Sequence, residues 1–170
     1  MRVDVTESIA ALDEARSPVV EDAAAERALK SFFAAIESDD SLFSCEPLRL
    51  SIADFGNGAH AAVCTGDFVL RFRDTRMMGN RRLHFALVEK LVELLKVAGS
   101  AESLTARMCL IPESDPEAKQ PGVAVCLRLE AQGSSREQAS LRWGLGVAHV
   151  QQALLFTSRY LRQQIGQSAD

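Results

Sequence analysis

The sequence predicts a single α+β domain in which one antiparallel sheet of about five strands packs with helices in the order α-βββ-α-ββ-α. Runs with apolar residues at every second position are interspersed with longer runs whose apolar residues recur every three to four positions, and these are the periods of strands and helices. The chain has 170 residues, of which 47% are hydrophobic and 25% are charged. A chain of this size buries a core without disulfides or metals.

The N-terminal part is expected to contain an arm and an opening helix. Residues 1–18, which end in Ser17-Pro18, are interpreted as a flexible arm, followed by the domain at 19–166 and a short tail at 167–170. Residues 20–37 predict a helix, because acidic residues enrich its first turns and its apolar residues form one stripe. That stripe consists of Ala25, Leu29, Phe32, Phe33 and Ile36.

A meander of three strands is predicted after this helix. Apolar and polar residues alternate from Leu48 to Ile52, and again from Phe68 to Phe72, with a short strand at 60–64 between them. Gly56-Asn57-Gly58 and Thr65-Gly66-Asp67 have the composition of tight turns, since glycine and asparagine tolerate positive φ. Tight turns between short strands indicate antiparallel pairing.

The middle helix is predicted over residues 80–98, and its apolar surface is unusually wide. One stripe consists of Leu83, Leu87, Leu91 and Leu94, and a second consists of Phe85, Val88, Val92 and Leu95. A surface helix needs only one such stripe to cover a core. We therefore expect one face to pack on the sheet and the other to contact a second copy or a partner.

Two further strands and a closing helix complete the prediction. Leu104 to Leu110 and Val123 to Leu129 alternate, and the polar loop at 112–121 joins them. The closing helix starts near Ser134-Ser135, which fits a capping box, and runs to about Gln164. Gly144 and Gly146 weaken its first half and mark either a kink or a close packing contact.

Composition and charge exclude several classes of protein. The net charge of −4 argues against a nucleic-acid binder, which usually has a basic excess. The sequence contains no run of 18 apolar residues, so no membrane span is predicted. The acidic N-terminus does not fit a secretory signal, and a cytoplasmic location is expected. The four cysteines form no C-x-x-C pair and the histidines are scattered, so reduced thiols and no metal site are expected.

No catalytic or cofactor-binding residue is predicted. The sequence contains no G-x-S-x-G, G-x-G-x-x-G or P-loop motif. His60 and Cys64 point to the same face of a strand but lie about 13 Å apart, too far for a dyad. Arginines are concentrated around the third strand, and they form either a solvated face or an anchor for an acidic segment of a partner. They are Arg71, Arg73, Arg76, Arg81 and Arg82.

This order of elements resembles the class I chaperones of bacterial type III secretion. The resemblance is carried by ERALKSFFAAI in the opening helix, by LVELLKVAG in the middle helix, by the meander, by the two alternating strands and by the amphipathic closing helix. It implies a homodimer without enzymatic activity or ATP use that holds a segment of an effector in extended form. The middle helix would supply the dimer contact through Leu83, Leu87, Leu91 and Leu94.

The client would bind on the opening helix and on exposed sheet positions. The residues that the resemblance and the arginine cluster assign to it are Leu29, Phe32, Phe33, Ile36, Arg71 and Arg73. Two alternatives stay open at this point. One is a regulatory domain of the same general fold that binds a folded partner, and the other is a small-molecule-binding or enzymatic α+β domain with a pocket between sheet and helices.

Overall fold

The computed structural model describes residues 1–5, 42–55, 61–97, 103–113 and 122–167. In these residues five strands form one sheet in the order β1-β4-β5-β3-β2. The strands are β1 (Arg2–Val5), β2 (Phe43–Asp54), β3 (Ala62–Phe72), β4 (Leu104–Glu113) and β5 (Gly122–Gly133). The helices are the single turn α1 (Thr75–Met78), the middle helix α2 (Arg81–Val97) and the closing helix α3 (Arg136–Gln167).

The sheet is mostly antiparallel, and this confirms the predicted mixed α+β class. It differs from a fully antiparallel sheet in one pair, because β1 runs parallel to β4 with Arg2 opposite Thr105. β1 lies within the segment that the sequence suggested to be an arm, so at least residues 2–5 belong to the sheet. The predicted opening helix at 20–37 lies outside the described residues, and so does the loop at 114–121.

Where the sequence predicted a meander of three strands, the structure has a hairpin of two long strands, β2 and β3. β3 passes without interruption through Thr65-Gly66-Asp67, where the sequence predicted a turn. A Cβ at Gly66 would overlap the indole ring of Trp143, so glycine serves close packing here rather than a turn. Asp67 accepts two hydrogen bonds from the guanidinium of Arg128 on the neighbouring strand, at 2.6 and 2.7 Å.

Both α2 and α3 pack on one face of the sheet and enclose the main core with it. Trp143 of α3 is central to this core. Its Nε1 donates a hydrogen bond to the carbonyl oxygen of Leu129 at 3.0 Å, and its ring stacks on Phe68 with 6.0 Å between centroids. Because the buried indole N–H has a partner, the ring fills the core without leaving a polar group unsatisfied.

Helix α3 is continuous through Gly144 and Gly146, and at Gly146 the glycine serves a close packing contact. A Cβ at Gly146 would lie 3.0 Å from a methyl carbon of Leu104 and 3.1 Å from one of Leu129. The predicted cap is also confirmed, since the hydroxyl of Ser135 accepts a hydrogen bond from the backbone N–H of Gln138. None of the helices in the described ranges is long and apolar enough to cross a membrane.

Candidate functional site

The stripe of α2 that was assigned to a dimer contact packs into the chain's own core. Leu87 and Leu91 are 1% and 0% exposed, and Leu83 and Leu94 are half-buried against the same core. The assignment of Leu87 and Leu91 to an interface is therefore wrong for this fold. The sheet and α3 bury the face of α2 that carries Leu87 and Leu91, and Phe85 is left as the exposed aromatic residue of its second stripe.

The residues assigned to client binding are placed in different ways. Leu29, Phe32, Phe33 and Ile36 lie outside the described residues. Arg71 is half-buried on β3, and Arg73 is exposed just after it. The Nε of Arg73 donates a hydrogen bond to the carbonyl oxygen of Phe43 at 2.9 Å, so this arginine links the end of β3 to the start of β2.

The other members of the arginine cluster separate into two groups. Arg76 is bound locally, because its guanidinium donates hydrogen bonds to both carboxylate oxygens of Asp74, and these bonds hold the pKa of Asp74 below its ordinary value. Asp74 also caps α1 by accepting a hydrogen bond from the backbone N–H of Arg76. Arg81 and Arg82, in the first turn of α2, are exposed to solvent.

An apolar groove of about 220 Å³ lies beside Arg81, between the first turns of α2 and the end of the β4–β5 hairpin. Arg81 and Phe85 are one helical turn apart and line one wall. Its described lining residues are Arg81, Phe85, Leu110, Ile111, Pro112 and Val123. Leu110, Pro112 and Val123 share the face of the sheet on which α2 packs, because alternate residues of a strand point to the same side and Pro112 pairs with Val123.

The strand edge next to this groove is open in the described part of the chain. The register of β1 with β4 ends at Val5 opposite Met108. Further along β4, no described strand pairs with Leu110–Pro112 on that side. Pro112 has no backbone N–H, a feature typical of edge strands. The groove therefore lies beyond the point at which the described pairing of β1 with β4 ends.

Comparison with known proteins finds no family model, no curated protein and no solved structure that matches this chain. The resemblance to secretion chaperones accordingly depends on the order and character of the elements alone. The groove and the open edge of β4 are observations of this chain itself, and they do not depend on the resemblance.

Two of the described cysteines, Cys64 and Cys126, are not suited to nucleophilic catalysis. Cys64 is fully buried, and His60 lies outside the described residues. Burial, together with the neighbouring Cys109 and Asp67, raises the pKa of the Cys126 thiol to about 12. A thiol is nucleophilic only as the thiolate, so Cys126 is unreactive near neutral pH.

The described histidine of α2 is a packing residue. His84 is fully buried, and its ring meets the ring of Phe72 edge-on with 4.9 Å between centroids. Its Nδ1 donates a hydrogen bond to the carbonyl oxygen of Asn80 at 2.8 Å, while Nε2 has no hydrogen-bond partner among the described residues. In the same ranges, no group of three or more His, Cys, Asp or Glu side chains is placed to hold a metal.

Sequence reasoning identified parts of this site without joining them. Phe85 was recognised as a member of the second stripe of α2, and Arg81 as a member of the arginine cluster. Ile111, Pro112 and Val123 were treated as strand and loop residues with no role in binding. Only the strand order, which brings the end of β4 to an edge beside α2, unites them.

Proposed function

We propose that this protein is a cytoplasmic, non-enzymatic adaptor or chaperone that binds an extended segment of another protein along the open end of β4. The observation that carries the proposal is the apolar groove beside the part of β4 with which no described residue of β1 pairs. An extended chain added to a sheet edge gains backbone hydrogen bonds, and its alternate side chains enter pockets beside that edge.

The chain itself supplies a precedent for this mode of binding. β1 is a four-residue extended segment that lies far from β4 in sequence and yet pairs with it, with Val3 opposite Ala106. The edge of β4 therefore has the geometry to accept an extended segment in parallel. A client would occupy the next part of the same edge, starting beside Val5, which is exposed.

The lining of the groove indicates the chemistry of the client. Phe85, Leu110 and Ile111 favour apolar side chains, and Arg81 at the rim favours a carboxylate. Arg82 is also exposed in the same helical turn. The chain is acidic overall, so these arginines form a local positive region on a molecule of net charge −4. We expect the client segment to combine apolar and acidic residues.

The size of the groove favours this function over the small-molecule alternative. Pockets for drug-sized ligands are usually about 300–1,000 Å³. The groove has about 220 Å³, which suits one or two side chains of a peptide better than a whole ligand or cofactor. The protonated state of Cys126 and the burial of Cys64 also give no support to an enzymatic role.

A secretion chaperone that binds an effector segment is the more specific form of the proposal. The α+β order of the elements and the acidic charge support it together with the groove. Self-association, the other expectation for such a chaperone, is part of the same proposal. Its surface differs from the one that the sequence suggested, because Leu87 and Leu91 are buried in the core.

Selection from a phage library of random linear peptides, followed by fluorescence anisotropy with the enriched sequence, tests the proposal. We expect the enriched peptides to combine apolar and acidic residues. Phe85→Asp should weaken their binding at least about tenfold, and Arg81→Glu should weaken the binding of the acidic peptides selectively. Phe156→Asp is the matched control, because Phe156 is 56% exposed and Phe85 is 57% exposed.

Two results would contradict the proposal. One is the absence of any enriched peptide for the wild-type protein. The other is an enriched peptide that binds Phe85→Asp and wild type with equal affinity. Circular dichroism of each variant would establish that the fold is retained, and this is expected because both phenylalanines are more than half exposed.

A further inference from the structure

The outer face of α3, opposite the core, carries large apolar residues in solvent. Leu141 and Leu145 are 65% and 63% exposed, and Phe156 is also more than half exposed. Together with Ala148 and Gln152 they lie at intervals of three to four residues, so they form one line along the helix. Scattered apolar residues on a surface need no explanation, but three large ones on one line of a helix, interrupted by the polar Gln152, indicate a surface that is covered in use.

Opposite charges stand at the two ends of this line. Glu137 lies one turn before Leu141, and Arg159 lies one turn after Phe156, and both are exposed. Ala148 is midway between Glu137 and Arg159 in the sequence. The outer face of α3 thus has an acid at one end, a base at the other, apolar residues between them and a small residue at the centre.

We propose that this face binds a second copy of the chain through antiparallel, two-fold pairing of the two α3 helices. In a two-fold interface every contact occurs twice, because a residue that contacts a second residue of the other copy is also contacted by that copy through the same pair. Antiparallel pairing about Ala148 places Glu137 opposite Arg159 of the second copy, and Leu141 opposite Leu155, one residue from Phe156, of the second copy. The small side chain of Ala148 allows the helices to approach closely where they cross.

The charge pattern selects this arrangement over parallel pairing. If the helices ran parallel, Glu137 would meet Glu137 of the second copy and Arg159 would meet Arg159, and both contacts would be repulsive. The antiparallel arrangement converts the same four charges into two attractive pairs. The pattern is therefore self-complementary, as a surface for a second copy has to be.

The length of the contact sets the expected strength of the dimer. The line from Glu137 to Arg159 is about 33 Å long at about 1.5 Å per residue. A single pair of helices over that length buries less than the ~1,600 Å² of a standard interface. We expect a dimer that dissociates in the micromolar range. The inference rests on the self-association included in the proposed function and assigns it to α3 in place of α2.

Sedimentation velocity across the micromolar range tests the inference. The wild-type protein should approach twice 18.5 kDa as concentration rises, whereas Leu141→Asp and Phe156→Asp should stay monomeric throughout. Phe85→Asp, with an equally exposed phenylalanine on α2, should dimerise like wild type. A wild-type protein that is monomeric at every concentration, or a Phe156→Asp variant that dimerises normally, would overturn the inference.

A charge exchange tests the register of the two helices. Glu137→Arg and Arg159→Glu should each shift the dimer equilibrium toward monomer, and the double variant should restore it. Failure of the double variant to recover would overturn the antiparallel pairing. Peptide binding by the same proteins separates the two proposals, because Phe156→Asp should bind the selected peptide as a monomer. Phe156→Asp should lose dimerisation and keep normal peptide affinity, whereas Phe85→Asp should lose peptide affinity and keep dimerisation. These two results together would support the peptide-binding proposal and the dimer proposal.

Discussion

Helices α2 and α3 differ in where their apolar residues lie. The sequence of α2 is apolar around a wide arc, yet most of that arc is buried within the chain, and Leu87, Leu91 and Leu95 are in the core. The sequence of α3 is dominated by its inner residues, such as Trp143 and Val147, yet its outer face has Leu141, Leu145 and Phe156 in solvent. The helix that seemed to need a partner is largely covered by its own chain.

The width of the apolar surface of a helix therefore does not show whether the same chain or a partner covers that surface. Helix α2 contacts α3 as well as strands β1 and β5, so neighbours within the chain account for most residues of its two stripes, while Phe85 stays exposed. The outer residues of α3 lie on the side of that helix away from the sheet. A binding face is therefore better identified by apolar residues that stay exposed after folding than by a count of apolar residues on a helix.

The largest effect that separates the two faces of α3 should come from Trp143. Trp143→Ala should lower the free energy of unfolding by about 3–5 kcal/mol, because it opens a cavity in the core. The substitution also removes the indole N–H that donates a hydrogen bond to the carbonyl oxygen of Leu129. Urea unfolding at a protein concentration that favours monomer would measure this. Phe156→Ala on the outer face should change stability by less than about 0.5 kcal/mol, and equal losses for the two variants would contradict the assignment of faces.

A leucine of each helix provides a direct test of the comparison. Leu91→Ala on α2 should cost about 2–5 kcal/mol of unfolding free energy, since Leu91 is fully buried. Leu141→Ala on α3 removes the same atoms from an exposed position, so its effect should be close to zero in the monomer. Urea midpoints of the two variants at low concentration measure the difference. A large loss for Leu141→Ala would show that this residue is buried in the monomer.

Two glycines of α3 should respond in opposite directions to the same substitution. Gly146→Ala should lower the free energy of unfolding by about 1–3 kcal/mol, because the new methyl group would press on Leu104 and Leu129. Gly166→Ala, with nothing within 4 Å of the new Cβ, should raise it by up to about 1 kcal/mol through helix propensity. Thermal unfolding of both variants would measure these changes. Stabilisation by Gly146→Ala would indicate that α3 is not closely packed on β4 and β5.

The sequence predicts local structure well where a single period decides it. The alternation in β4 and β5 and the three-to-four spacing in α2 and α3 lead to elements close to those observed. The turn predicted at residues 65–67 is wrong because these residues are explained by contacts with distant parts of the chain. Gly66 leaves room for Trp143, which is far along the chain, and Asp67 binds Arg128 of β5. Turn propensity depends on neighbouring residues alone, so it could not predict either contact.

The candidate site depends on information that no local pattern holds. In the described residues, the edge beside Leu110 is open because the pairing of β1 reaches only Met108 of β4. The parallel pairing of β1 has no sequence signature in four residues. The outer line of α3 was present in the sequence beside the stronger rhythm of Trp143, Val147, Val150, Leu154 and Leu161, which obscured it. Exposure in the folded chain distinguishes the two.

The parallel pairing of β1 with β4 also has a consequence for the order of folding. During synthesis Arg2 precedes its partner Thr105, which follows only after β2, β3 and α2 have been made. Pairings between residues distant in sequence form slowly, because a long loop has to close before any contact repays its entropy. The hairpin of β4 and β5 is local, so it can form before β1 adds to its side. We expect the edge that carries the groove to be completed late in folding, and until then the whole length of β4 is available to an extended strand from outside.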